Sequence, residues 1–108
     1  MTGFAEIGPT ELAARIASGE PLQLVDVRET WEAELAAIPD AMLLPLGRLP
    51  ELTDALDTDV PIVVYCHHGI RSAQAAGYLA SRGFDDVTHL VGGVDAWAEE
   101  VDPGMRRY

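Results

Sequence analysis

A chain of 108 residues, 48% of them apolar, is long enough to bury one hydrophobic core, and we expect residues 1–108 to form a single domain. Eighteen acidic against seven basic side chains give a formal charge of −11 at pH 7. A field of that sign repels nucleic acids and acidic membrane surfaces, so neither is an expected partner. The single cysteine excludes an internal disulfide, and the first ten residues lack the basic and apolar regions of a secretory signal. We therefore expect a cytoplasmic location.

Predicted helices and strands alternate along the chain. The predicted strands cover residues 21–27, 41–46, 61–66 and 87–93, and the predicted helices cover 9–19, 29–40, 49–56, 71–83 and 94–101. Thr10 and Thr30 are the predicted N-caps of the first two helices. Strands separated by helices predict an α/β fold with a parallel sheet that helices cover on both faces.

The single cysteine, Cys66, lies at the end of the most apolar predicted strand, where parallel α/β folds bind their ligands. The segment from Cys66 to Arg71 turns the chain into a helix, and Gly69 permits the positive φ that a tight turn needs. Amide groups of a curled loop and the amino end of the helix favour an anion there. Such sites lower the pKa of a cysteine from about 8.5 to roughly 3.5–7.5, which makes it a nucleophile. The alternative is an inert cysteine buried in the core.

Four segments resemble the rhodanese family of sulfurtransferases in their order along the chain: LVDVRETWE, IPDAMLLPL, YCHHGIRSAQAAGYL and HLVGGVDAW. The resemblance implies a rhodanese-like α/β fold with a central parallel sheet of about five strands. It also implies that Cys66 takes a sulfane sulfur from a donor, holds it as a persulfide and passes it to an acceptor. Donor and acceptor are small molecules or proteins. The segment AWAEEVDPGMRRY is similar to rhodanese domains found alone or fused behind ubiquitin-activating-like adenylyltransferases.

Site residues carry over from the family position by position. Cys66 matches the nucleophile and persulfide carrier, and the amides of residues 67–71 match the cradle around its sulfur. Asp26 and Arg28 match the DVRE signature, which precedes the loop in the sequence, and Glu32 matches the acidic residue that follows this signature. We hypothesise that Glu32 pairs with Arg28 or Arg71 and holds the shape of the loop, the alternative being an ordinary surface salt bridge. The complete substrate-binding loop is expected to be His67, His68, Gly69, Ile70, Arg71 and Ser72.

Residues around the loop are expected to have supporting roles. His67 and His68 either orient the substrate or act only through their backbone, and three crowded ligands on one turn cannot close a tetrahedral metal site. No metal and no cofactor are therefore expected. His89 is expected to be structural. Trp31 and Trp97 are expected to pack helices onto the sheet, the alternative being a recognition role, and Gly92 and Gly93 are expected to form a tight turn beside the site.

Other functions use a similar cysteine loop. Cell-cycle phosphatases of the dual-specificity type have a loop one residue longer, which suits the three equatorial oxygens of a phosphoryl group. A binding or sensing domain with little turnover is the second alternative, and a redox sensor lacks a second cysteine to resolve it. Within the loop Arg71 is the one cation beside two largely neutral histidines, which favours a persulfide over thiosulfate as donor. The oligomeric state stays open.

Overall fold

Five parallel strands form one sheet in the computed structural model, which describes residues 3–108. The strands are β1 (Ala5–Ile7), β2 (Gln23–Asp26), β3 (Met42–Leu43), β4 (Ile62–Tyr65) and β5 (Val87–Leu90). Their order across the sheet is β1-β5-β4-β2-β3, and every neighbouring pair is parallel. The helices are α1 (Pro9–Ala17), α2 (Thr30–Leu35), α3 (Leu49–Leu52), α4 (Ile70–Ser81) and α5 (Gly93–Glu100), with short 3₁₀ turns at Leu46–Arg48 and Thr53–Ala55. The predicted α/β fold with a parallel sheet is confirmed.

Strand β4 lies at the centre of the sheet and is buried on both faces. On one face Ile62 and Val64 pack with Leu79 of α4, and on the other Val63 packs with Trp97 of α5. This two-sided burial explains the unbroken apolar run of the strand, because each of its side chains meets a layer of helices. The central position of β4 places its carboxyl end between neighbours on both sides, which is where Cys66 follows.

The first strand, β1, was not among the predicted elements. It has three residues, of which Ala5 and Glu6 are exposed and Ile7 is buried, so it carries no hydrophobic pattern long enough to indicate a strand. Pairing with β5 over three residues stabilises it as an edge strand. Its contribution matters for the site, because Glu6 lies directly beside His89 of β5 in the register.

Two predicted helix caps were wrong. Helix α1 begins with Pro9 after an extended Gly8, since the fixed φ of proline suits the first helical position. Helix α2 has Glu29 as its N-cap, and the Glu29 amide donates a hydrogen bond of 3.0 Å to Glu32 Oε1. Thr10 and Thr30 are therefore helical residues and not caps.

The two tryptophans have different environments. Trp97 is buried between α5 and the sheet, as predicted, whereas Trp31 is 59% exposed, so its predicted packing on the sheet is wrong. Helix α2 has only six residues, and its buried residue is Glu32, which turns towards the loop after β4. Trp31 instead meets the Tyr108 ring edge to face, with 5.9 Å between the ring centroids. None of the helices in residues 3–108 has the length and apolarity required to cross a membrane.

Candidate active site

Cys66 directly follows β4 and is 1% exposed. Helix α4 begins four residues later at Ile70, and the chain makes the turn at Gly69, whose φ is 112°. A side chain at Gly69 would be strained by this φ and would also contact the backbone of Gly92. The lone thiol therefore lies under a tight loop, at the amino end of a helix of 12 residues.

Two backbone amides point at the sulfur. Cys66 Sγ accepts hydrogen bonds from the amides of Gly69 at 3.1 Å and Ser72 at 3.3 Å, and Ser72 Oγ lies 3.5 Å away. Gly69 belongs to the predicted cradle of residues 67–71, whereas Ser72, the second donor, lies one residue beyond this cradle. The buried sulfur is thus an acceptor for backbone donors at the amino end of α4.

Helix α5 holds the other side of the loop. The amides of Val94 and Asp95 donate to the carbonyls of Cys66 and His67, at 2.8 and 3.1 Å. A Cβ at Gly93 would lie 2.4 Å from both carbonyl oxygens, so this position has room for glycine alone. The predicted tight turn beside the site is thus the support against which the loop is packed.

Glu32 pairs with Arg71, one of the two partners that the sequence left open. The Arg71 guanidinium donates two hydrogen bonds to the Glu32 carboxylate, at 2.6 and 2.8 Å. These bonds lower the pKa of Glu32 to about 2, against the opposing effect of its burial. The planar, two-bonded contact fixes the first turn of α4, and hence the end of the loop, relative to α2.

Arg28 forms a separate buried pair with Asp26. Its Nε and Nη2 donate to the two carboxylate oxygens at 2.9 and 2.7 Å, and both residues are at most 1% exposed. Burial disfavours the charge on Arg28, yet hydrogen bonds to Asp26 and Tyr108 hold its pKa above the ordinary value. Tyr65 donates a further bond of 2.9 Å to Asp26. Asp26 and Arg28 thus lie beneath the site as a hydrogen-bonded pair.

Tyr108 joins the two ion pairs and was missed by the sequence analysis. Its hydroxyl donates to Glu32 Oε2 at 2.7 Å and accepts from Arg28 Nη1 at 2.9 Å, and burial raises its pKa to about 12. Its ring stacks on His67 with 3.8 Å between centroids and an angle of 9° between planes. Tyr108 and Glu32 are 76 residues apart in the sequence, and no local pattern signals such a contact.

A Tyr108→Phe variant is expected to lose about 2 kcal/mol of unfolding free energy, because two hydrogen bonds to charged groups disappear while the ring stays in place. Urea unfolding followed by circular dichroism measures the change. Tyr78→Phe, which removes a hydroxyl from a half-buried tyrosine on α4, serves as the control. Equal losses in the two variants would show that the Tyr108 hydroxyl has no special role.

The two loop histidines have different surroundings. His67 is half-buried between the rings of His68 and Tyr108, and burial together with neighbouring His68 lowers its pKa. The His68 side chain is 60% exposed, with Nδ1 3.9 Å from Asp95 Oδ2. In the described residues 3–108, no three His, Cys, Asp or Glu side chains come together as a metal site requires.

The site is a buried cysteine at the carboxyl end of a central parallel strand, with one amide of the following loop and one of the next helix aimed at its sulfur. This arrangement defines an α/β domain whose candidate active site is a cysteine loop. The model of the rhodanese-like domain family matches residues 8–100, so the chain belongs to the rhodanese family. The crystal structure of a rhodanese-like domain protein from Staphylococcus aureus has a TM-score of 0.84 and 30% identity, covering 96% of this chain and 98% of that one.

Curated relatives include single-domain and fused proteins. A sulfurtransferase of Allochromatium vinosum is 40% identical over 91% of this chain and 92% of its own length. The thiosulfate sulfurtransferase GlpE of Shewanella oneidensis is 36% identical over 92% of this chain and 97% of its own. The probable adenylyltransferase/sulfurtransferase MoeZ of Mycobacterium tuberculosis is 38% identical over 94% of this chain but 26% of its own. The predicted similarity to both kinds of rhodanese domain is confirmed.

Proposed function

We propose that this protein is a sulfurtransferase that carries a sulfane sulfur as a persulfide on Cys66. The observation that carries the proposal is the pair of amides, from Gly69 and Ser72, that point at a buried sulfur. They stabilise negative charge on the nucleophile before attack and again when the sulfur is a leaving group. The names of the relatives support the same reaction class.

The proposed reaction has two displacements at sulfur. In the first, the Cys66 thiolate attacks the sulfane sulfur of the donor, a new S–S bond forms, and the S–S bond within the donor breaks. The electron pair of the broken bond leaves with the donor, as a thiolate from a persulfide or as sulfite from thiosulfate. In the second, an acceptor thiolate or cyanide attacks the outer sulfur and the Cys66 thiolate leaves. Each step follows the rules of thiol–disulfide exchange.

The first turn of α4 supplies donors for the outer sulfur of the persulfide. The amides of Ile70 and Arg71 occupy the first two helical positions, where an α-helix offers no intrahelical acceptor. They join the Ser72 amide at the same end of the helix, so the persulfide anion is proposed to extend towards them. In the proposed mechanism His67 and His68 act through their backbone, as part of the loop, and their rings pack the loop against Tyr108.

The surroundings of Arg71 support a persulfide over thiosulfate as the preferred donor. The two terminal guanidinium nitrogens of Arg71 each donate to the Glu32 carboxylate, which offsets much of the positive charge that would attract a sulfonate. Ile70, which is 75% exposed, gives the loop an apolar residue at its rim. The same engagement of Arg71 leaves it a poor ligand for a transferring phosphoryl group, which weighs against the phosphatase alternative.

Incubation with glutathione persulfide is expected to add the mass of one sulfur atom to Cys66, and cyanide should then release it as thiocyanate. Intact-protein mass spectrometry follows loading, and Cys66→Ala should show neither step. Thiosulfate at equal concentration should load the protein about tenfold more slowly, because its sulfonate finds no free cation in the described loop, residues 66–71. A tenfold ratio corresponds to a free-energy difference of about 1.4 kcal/mol. A protein that stays unloaded with both donors would leave the binding or sensing function as the better account.

A further inference from the structure

A chain of hydrogen bonds leads away from the sulfur through the Ser72 side chain. Ser72 Oγ lies 3.5 Å from Cys66 Sγ and 3.1 Å from His89 Nδ1. His89 Nε2 in turn lies 3.3 Å from Glu6 Oε2, and the Glu6 side chain is 69% exposed. The Ser72 hydroxyl of α4 and the His89 ring of β5 therefore connect the buried sulfur to the Glu6 carboxylate of β1 in solvent.

The partners determine the direction of every bond in this chain. The Glu6 carboxylate can only accept, so His89 Nε2 carries a proton and Nδ1 of the neutral ring is the acceptor. Nδ1 then accepts from the Ser72 hydroxyl, whose oxygen is free to accept from the Cys66 thiol. The Gly69 carbonyl, 3.2 Å from Ser72 Oγ, is a second acceptor that competes for the same hydroxyl proton.

We propose that His89 is a positioning residue that takes the Cys66 proton through Ser72 and holds the thiolate in an ion pair. The proposal rests on the proposed function, since it concerns the sulfur that becomes the persulfide. The thiol proton moves to Ser72 Oγ as the hydroxyl proton of Ser72 moves to His89 Nδ1, and no electrons are gained or lost. The products are a thiolate, an unchanged hydroxyl that now donates to it, and an imidazolium bound to Glu6.

The ring of His89 is held in place from several sides. His89 is 6% exposed, pairs in register with Glu6, and meets the Phe4 ring in a T-shaped contact with 5.7 Å between the ring centroids. A Cβ at Gly69 would lie 3.7 Å from His89 Cε1, an ordinary van der Waals distance, so the loop lies directly against the ring. The ring therefore has one fixed orientation, as a relay through both of its nitrogens requires. The sequence analysis had assigned His89 a purely structural role.

The groups that face His89 agree with a proton acceptor. Glu6 on β1 brings a negative charge, Cys66 after β4 brings the titrating sulfur, and α4 brings the neutral hydroxyl of Ser72. Glu6 can therefore accept from His89 Nε2 while Nδ1 receives the proton that Ser72 passes on. The resulting pair keeps the sulfur anionic before it attacks the donor, and stabilises it again when it leaves the acceptor.

The test is the rate at which iodoacetamide alkylates Cys66, compared between wild type and His89→Gln. At about pH 6 the variant should react about tenfold more slowly, whereas at about pH 10, where the sulfur is ionised in both, the rates should agree within about twofold. Damage to the fold would expose the buried thiol and speed alkylation at both pH values, and circular dichroism checks for it. Ser72→Ala should give the same loss, and adding His89→Gln to it should change nothing further.

Exposed Glu6 provides a variant that is not expected to disturb the fold. Glu6→Gln should slow alkylation about threefold at about pH 6, while Glu11→Gln, which removes an exposed charge from α1, should leave it unchanged. Wild-type rates in both His89→Gln and Glu6→Gln, in a protein that still loads sulfur, would overturn the relay. If both variants react slowly at about pH 6 but the wild type takes up no sulfur, the relay would be upheld and the proposed function rejected.

Discussion

Replacing Gly93 with alanine is expected to abolish sulfur uptake by Cys66 and to lower the free energy of unfolding by about 3 kcal/mol or more. The new Cβ would lie 2.4 Å from the carbonyl oxygens of Cys66 and His67, which are backbone atoms and cannot swing aside. Its φ of 61° adds the strain of a left-handed alanine, roughly 1–2 kcal/mol, to the cost of overpacking. Relief requires the loop to move away from α5, which breaks the hydrogen bonds to Val94 and Asp95.

The chain offers a matched control for this variant. Gly19 has a similar φ of 79°, but a Cβ there would meet no atom within 4 Å. Gly19→Ala therefore carries the backbone strain without the collision, and should cost about 1 kcal/mol with full sulfur uptake. Urea unfolding and mass spectrometry of the loaded protein measure both effects. Equal behaviour of the two variants would mean that backbone strain, and not the contact with the loop, determines the outcome.

The parts of the fold that could be predicted are those in which local sequence and tertiary packing agree. Strand β4 carries an unbroken apolar run because it is buried on both faces, and α4 follows it directly. The position of Cys66 at a strand end and the positive φ of Gly69 follow from the same local reasoning, and the structure has both. The pairing of Glu32 came from the family resemblance, with its partner left open between two arginines.

The parts that could not be predicted depend on contacts between distant residues. Strand β1 exists because β5 pairs with it, 83 residues separate Glu6 from His89, and 76 separate Glu32 from Tyr108. None of these residues belongs to a local pattern that indicates its partner. The prediction for Trp31 was wrong because a large apolar residue was assigned to the core. The buried residue of α2 is instead Glu32, whose carboxylate pairs with Arg71, and Trp31 stays exposed.

Replacing Glu32 with glutamine is expected to lower the free energy of unfolding by about 3 kcal/mol at pH 7 and to slow sulfur transfer. The carboxylate accepts from Arg71 twice, from Tyr108 and from the Glu29 amide, and its side chain is 4% exposed. A neutral amide cannot accept both Arg71 bonds, which leaves a partly buried cation without its partner. Because Arg71 lies in the first turn of α4, its release loosens the turn that carries the Ser72 amide to the sulfur.

Acid should remove the advantage of the wild type over this variant. The pKa of Glu32 is about 2 in the folded protein, below its ordinary value of 4.5, so the unfolded chain binds the proton more readily. The stabilisation is complete above about pH 4.5 and is lost as the pH falls towards about 2, and the difference in pKa corresponds to about 3 kcal/mol. Urea unfolding of wild type and Glu32→Gln at a series of pH values should therefore give curves that converge in this interval.

Glu34→Gln separates the effect of the Glu32 contacts from that of a lost charge. Glu34 lies on the same helix two residues further on and is exposed, so its replacement removes one acidic charge without disturbing the loop. We expect this variant to transfer sulfur at the wild-type rate and to differ in stability by less than about 0.5 kcal/mol. A Glu32→Gln protein that behaves like Glu34→Gln, in both transfer rate and acid unfolding, would show that the loop keeps its shape without the Arg71 pair. The two amides at the sulfur would then depend on the glycine turns alone.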